Sequence, residues 1–153
     1  LGALAMTPGV KIKDILTKGL SIRLFNRRDQ KHFWHPIFCK GQTWPTENPY
    51  KLILQASKNH QKIFEIIIGE TKRDREFDVI FENGLPKISE YQREEEIIKW
   101  DKESLKITLK NKSIIGEDNL TLFFKINEKA DLFVQCFDIK DEFLGEYNIG
   151  KIF

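Results

Sequence analysis

The sequence predicts an all-β chain, an antiparallel β-sandwich, on three observations. Phenylalanine is abundant, with twelve copies in 153 residues, and aromatic and β-branched residues gather in short runs. Polar segments suited to turns separate those runs: NRRDQKH, KGQTWP, ENGLP, KNKSIIGED, NEKAD and DEFLGE. Short strands punctuated at regular intervals are the pattern of a sandwich or barrel, not of alternating strands and helices.

Taken in order, LGALAMTPG (1–9) has neither a basic start nor a full apolar core, so it is not read as a secretory signal. It is set aside as an appended remnant or the end of a preceding domain. A first strand is expected at 21–25 and a second at 34–39. Between them FNRRDQKHFW (25–34) interleaves Arg27, Arg28, Lys31 and His32 with aromatic rings. That mixture can bind nucleic acid, but the plainer reading is a solvated loop whose flanking aromatics belong to the core.

Pro45 lacks a backbone donor and suits the mouth of a strand. The runs at 50–55 and 63–69, joined by the polar QASKNHQ, read as a long β-hairpin. A strand follows at 77–82. SEYQREEEIIKWDKES (89–104) fits a short helix capped by Ser89, or a loop around a strand at 96–100. Strands at 105–109, 120–126, 131–138 and 146–153 complete the chain, with 15–153 as one domain carrying an insertion at about 71–104.

Composition narrows the function. Hydrophobic residues make up 41% and charged residues 31%, as in ordinary globular chains. A net charge of +2 is too small to argue for nucleic acid. No apolar stretch approaches the length of about 18 residues that a membrane span needs. Cys39 and Cys136 lack ligand-like spacing and are expected as free, buried thiols in a reducing, cytoplasmic setting. His32, His35 and His60 form no metal motif, and neither a phosphate-binding glycine loop nor a nucleophile motif is present. No catalytic residue, metal or cofactor is therefore assigned, and the chain is not expected to be an enzyme.

WPTENPYKLILQASKNHQKIFEIIIGE resembles the substrate-binding β-domain of DnaK-type chaperones, the seventy-kilodalton heat-shock family. There an apolar-Pro-Thr step enters a strand, a polar turn follows, and the next strand closes on Gly-Glu. Here these are Trp44-Pro45-Thr46 and Gly69-Glu70. Upstream, VKIKDILTKGLSIRL looks like the family's interdomain linker (Val10, Lys11, Ile12, Lys13, Asp14) and first strand. Downstream, LTLFFKINEKADLFVQCFDI is similar to its last hairpin. The chain departs from the family in a longer 26–34 connection, a longer 71–104 stretch and two lysines within the linker.

The resemblance implies a module that holds extended apolar polypeptide in a channel between loops at one end of the sandwich. It also implies control by an ATP-dependent ATPase domain outside this chain, and J-domain co-chaperones as partners. Carried over, Ile22, Leu24 and Phe25 line the channel, with Phe25 and Gln55 as the two halves of an arch over the peptide. Leu52, Lys62 and Phe64 fall at the apolar pocket. A buried unpaired ammonium is costly, so Lys62 snorkels to water, yields its place to Ile63, or marks a pocket that is filled. A second reading keeps the sandwich without the channel, as a protein–protein interaction domain. A third, a nucleic-acid or anion binder, rests on the 26–34 loop.

Overall fold

The computed structural model describes residues 14–71, 79–82, 85–88, 97–100 and 104–153. The strands are β1 (Asp14–Ile15), β2 (Leu20–Asn26), β3 (Lys31–Phe38), β4 (Thr43–Trp44), β5 (Tyr50–Gln55), β6 (Ile63–Ile66) and β7 (Ile68–Thr71). They continue as β8 (Val79–Glu82), β9 (Leu85–Ile88), β10 (Ile97–Lys99), β11 (Leu105–Thr108), β12 (Asp118–Ile126), β13 (Asp131–Asp138) and β14 (Phe143–Lys151). All strand pairs are antiparallel, and no helix occurs among the described residues.

Two four-stranded sheets form the body, one in the order β10-β7-β2-β3 and the other in the order β14-β13-β12-β5. One apolar cluster joins them. Leu20, Ile22, Ile37, Phe38 and Ile68 of the first sheet and Leu120, Leu122, Phe124, Leu132, Val134 and Cys136 of the second belong to it. The period-2 alternation of β12 and β13 produces this directly, since every second side chain turns inward. The all-β sandwich expected from the strand runs is what the chain forms.

The run expected as one strand at 63–69 is broken at Ile67. β6 pairs with β11, while β7 pairs with β2 and β10. The Ile67 carbonyl accepts a hydrogen bond from the Arg23 N–H at 2.9 Å, so the break is tied to β2. Of the two readings of 89–104, the strand at 96–100 is the one that forms, as β10 paired with β7, and the helix is excluded there; 89–96 and 101–103 lie outside the described residues. β9, β1 and β4 were not expected. Asp14, read as the end of a linker, pairs with Trp44 in β1–β4, while Val10 to Lys13 lie outside the described residues.

The motif residues have structural work of their own. The Trp44–Pro45 peptide is cis. Thr46 clamps the end of β12: its N–H donates to the Ile126 carbonyl at 3.0 Å, and its Oγ1 accepts from the Ile126 N–H at 3.0 Å. Gly69 lies where a Cβ would stand 2.8 Å from the Trp34 ring and collide with Ile97. Glu70 takes an ion pair from Lys18 at 2.5 Å and a hydrogen bond from the Trp100 indole at 3.3 Å.

Candidate functional site

The segment FNRRDQKHFW is mostly strand, which corrects the expected solvated loop. β2 runs to Asn26 and β3 begins at Lys31, leaving 27–30 as the turn. The Asn26 carboxamide oxygen accepts the Arg28 N–H at 3.0 Å, the Gln30 carboxamide donates to the Arg27 carbonyl at 2.7 Å, and Gln30 adopts a positive φ of 53°. The hairpin therefore carries its basic residues on a tight, ordered tip.

β2 is fully buried over its first three residues and half-buried over the remainder. Where its burial relaxes, a cavity of about 570 Å³ opens. Leu24, Phe25, Ile53, Leu54, Phe64 and Ile67 supply its apolar lining; Arg23, Arg27, His32, Gln55, Gln61 and Glu65 supply polar groups. Two bordering strands, β5 and β6, each have a partner on one side only among the described strands. The cavity thus lies beside two strand edges, whose outward backbone groups are templates for an extended chain.

Four of the seven residues expected at a channel, Leu24, Phe25, Gln55 and Phe64, line this one cavity. The other three do not. Ile22 is wholly buried in the core between His35 and Ile68, its neighbours on β3 and β7. Leu52 is half-buried and packs against the core. Each sits two residues before a lining residue on the same strand face, Leu24 and Leu54 respectively. On β2 the opening is therefore one step shallower than expected, because the inter-sheet core already holds Ile22. Lys62 is exposed before β6, and its carbonyl accepts the Leu109 N–H at 2.7 Å. Neither it nor Ile63, which is 55% exposed, fills a pocket; Phe64, 4% exposed, provides the buried wall instead.

The expected arch of Phe25 and Gln55 is also revised. Phe25 turns edge-on to His32, with ring centroids 5.2 Å apart. Arg27 reaches Gln55 instead, its Nη2 donating to Oε1 at 3.5 Å, and the Gln55 carboxamide donates to Asp118 at 3.2 Å. The guanidinium also lies beside Gly116, where a Cβ would meet Nη1 at 3.4 Å. A polar strap thus runs from the β2–β3 turn to the start of β12. Arg23, Leu54 and Ile67 were not foreseen as lining residues; the only sequence sign of the polar rim was the cluster of basic residues in 26–34.

Elsewhere, His35 Nε2 and the Tyr50 hydroxyl share a hydrogen bond at 2.8 Å, and burial holds the His35 pKa below its ordinary value. Cys39 and Cys136 are free and buried, and burial pushes their thiols up to about 11 and about 12 respectively. Both therefore stay as weakly nucleophilic thiols near neutral pH. Among the described residues no cluster of three His, Cys, Asp or Glu side chains is placed to hold a metal ion. No helix among them is long and apolar enough to cross a membrane.

Fold and geometry together define a two-layer antiparallel β-domain with an apolar groove beside two strand edges. No protein-family model matches the chain, and a search among curated proteins gives no match.

Proposed function

We propose that this chain is a polypeptide-binding module of the DnaK-like chaperone type, holding extended apolar segments in the groove bordered by β2, β5 and β6. The observation that carries the reading is the convergence of Leu24 and Phe25 of β2, Gln55 of β5 and Phe64 of β6 on one cavity. The strand edges supply main-chain hydrogen bonding, which every peptide can use, and the aliphatic lining supplies a preference for apolar side chains. In the intact protein an ATPase domain outside this chain would set the groove's affinity through the segment before β1, with J-domain proteins acting on that domain in a cytoplasmic setting.

The test is fluorescence anisotropy with labelled Leu-rich heptapeptides. Binding with a dissociation constant of about ten micromolar or tighter is expected. Ile53→Asp, at a position 44% exposed and in the cavity wall, should weaken binding about tenfold while leaving the melting temperature near that of the parent. Absence of binding by the folded, unaltered chain at about a hundred micromolar would overturn the reading and leave the interaction-domain alternative in its place.

A further inference from the structure

We infer that the groove selects apolar segments carrying an acidic residue, with Arg27 as the group that reads the carboxylate. This deepens the proposed function and rests on it. The argument begins with charge. The cavity's lining carries Arg27 and one acid, Glu65, and the Asp118 carboxylate beyond the strap is already engaged by the Gln55 carboxamide at 3.2 Å. The adjoining turn and strand start add Arg28 and Lys31 against Asp29, and the Asp29 carboxylate is engaged by the Asn26 carboxamide at 3.0 Å. The polypeptide that complements such a rim is acidic as well as apolar.

Arg27 is singled out by its own partner. Its guanidinium donates to the neutral carboxamide of Gln55 at 3.5 Å, the far limit of a hydrogen bond, and among the described residues no carboxylate pairs with it. A guanidinium is an always-charged fork matched to two carboxylate oxygens. An aspartate or glutamate of a bound peptide would replace a long neutral contact with a short charge-assisted one. Gln55 keeps a second partner, since its amide already donates to Asp118 at 3.2 Å, so the exchange leaves it hydrogen-bonded. The strap is thereby a latch that an acidic guest opens and then occupies.

A basic rim would also attract nucleic acid. The peptide is favoured because Leu24, Ile53, Leu54 and Ile67 give the surface beneath the rim a large aliphatic share that offers a base no stacking partner, and because the Phe64 ring is only 4% exposed.

The experiment compares three labelled heptapeptides with one Leu-rich centre, flanked by Asp, by Ser or by Lys, together with a labelled single-stranded oligonucleotide. The Asp-flanked peptide should bind about five- to tenfold tighter than the Ser-flanked one, and the Lys-flanked one weaker than both, at low salt. Raising the salt to about 0.5 M should bring the three together. Arg27→Gln should move the Asp-to-Ser affinity ratio toward one. The salt series on the unaltered chain reads the same charge selectivity if that variant does not fold. Equal binding of all three peptides, or a ratio unmoved by both salt and Arg27→Gln, overturns this inference while the peptide-binding reading stands. Binding of no peptide overturns both, and oligonucleotide binding tighter than any peptide overturns the choice of guest.

Discussion

Gly69 shows how much a single absent side chain decides. The Trp34 ring, on β3, lies across the β7 backbone at the point where any Cβ would meet it at 2.8 Å. Neighbouring β2 separates the two strands, so the approach passes over one face of the sheet. Gly69→Ala should therefore force Trp34 and Ile97 apart and cost about 1–3 kcal/mol, measurable as a lower urea midpoint with an unchanged slope. His35 supports a second residue-scale expectation. Its folded-state pKa is lowered by burial from 6.5. As pH falls below 6.5 the unfolded chain takes up the proton before the folded chain does, so this contribution to stability is complete above 6.5 and declines beneath it. Urea midpoints measured from pH 7.5 to 5 should fall toward acid, and His35→Gln should flatten that part of the profile.

At the scale of elements, the sequence motifs turn out to be fastenings. Thr46 follows a proline with no N–H to give, and it meets the end of β12 through both its backbone and its hydroxyl. Replacing it with Val keeps the shape but leaves the Ile126 N–H, in a partly buried setting, without its side-chain acceptor. A loss of about 1–2 kcal/mol in chemical unfolding is expected, with no change in peptide affinity, since Thr46 is remote from the groove's lining. Periodicity located β5 and β13 to the residue, because β5 alternates throughout, β13 alternates from Leu132 to Phe137, and polar turns bound them. It did not show the break at Ile67, because four isoleucines and a phenylalanine within 63–68 satisfy a strand pattern whichever partner each half chooses. The 89–104 segment left a helix and a strand at 96–100 open, and the strand is what forms at Ile97–Lys99. Its acidic first half reads as a helix start, yet Ile97–Lys99 has an edge of β7 to pair with, and tertiary pairing outweighs weak local preference.

For the whole molecule, the antiparallel all-β class and the inward faces of the longer strands were legible in the sequence, since alternation and turn chemistry are local properties; the short strands β1, β4 and β9 were not, because two to four residues carry too little pattern. The candidate site was legible only in part. Leu24, Phe25, Gln55 and Phe64 meet at the cavity, but Ile22 belongs to the core, Leu52 packs half-buried against it, and Lys62 lies on the surface. Along one strand face Ile22 and Leu24 are equivalent in character and differ only in depth. Depth depends on where the opposing sheet stops covering that strand, which no window of sequence contains. The same holds for Arg27. Its charge was visible from the start, but its contact with Gln55 joins residues 28 apart, from the turn of the β2–β3 hairpin to β5 in the other sheet. The sequence by itself therefore determined that two apolar strand faces would pack together, because burial follows side-chain alternation. Only the tertiary structure decided where that packing ends and a groove begins, because that boundary is set by how two separately encoded sheets overlap.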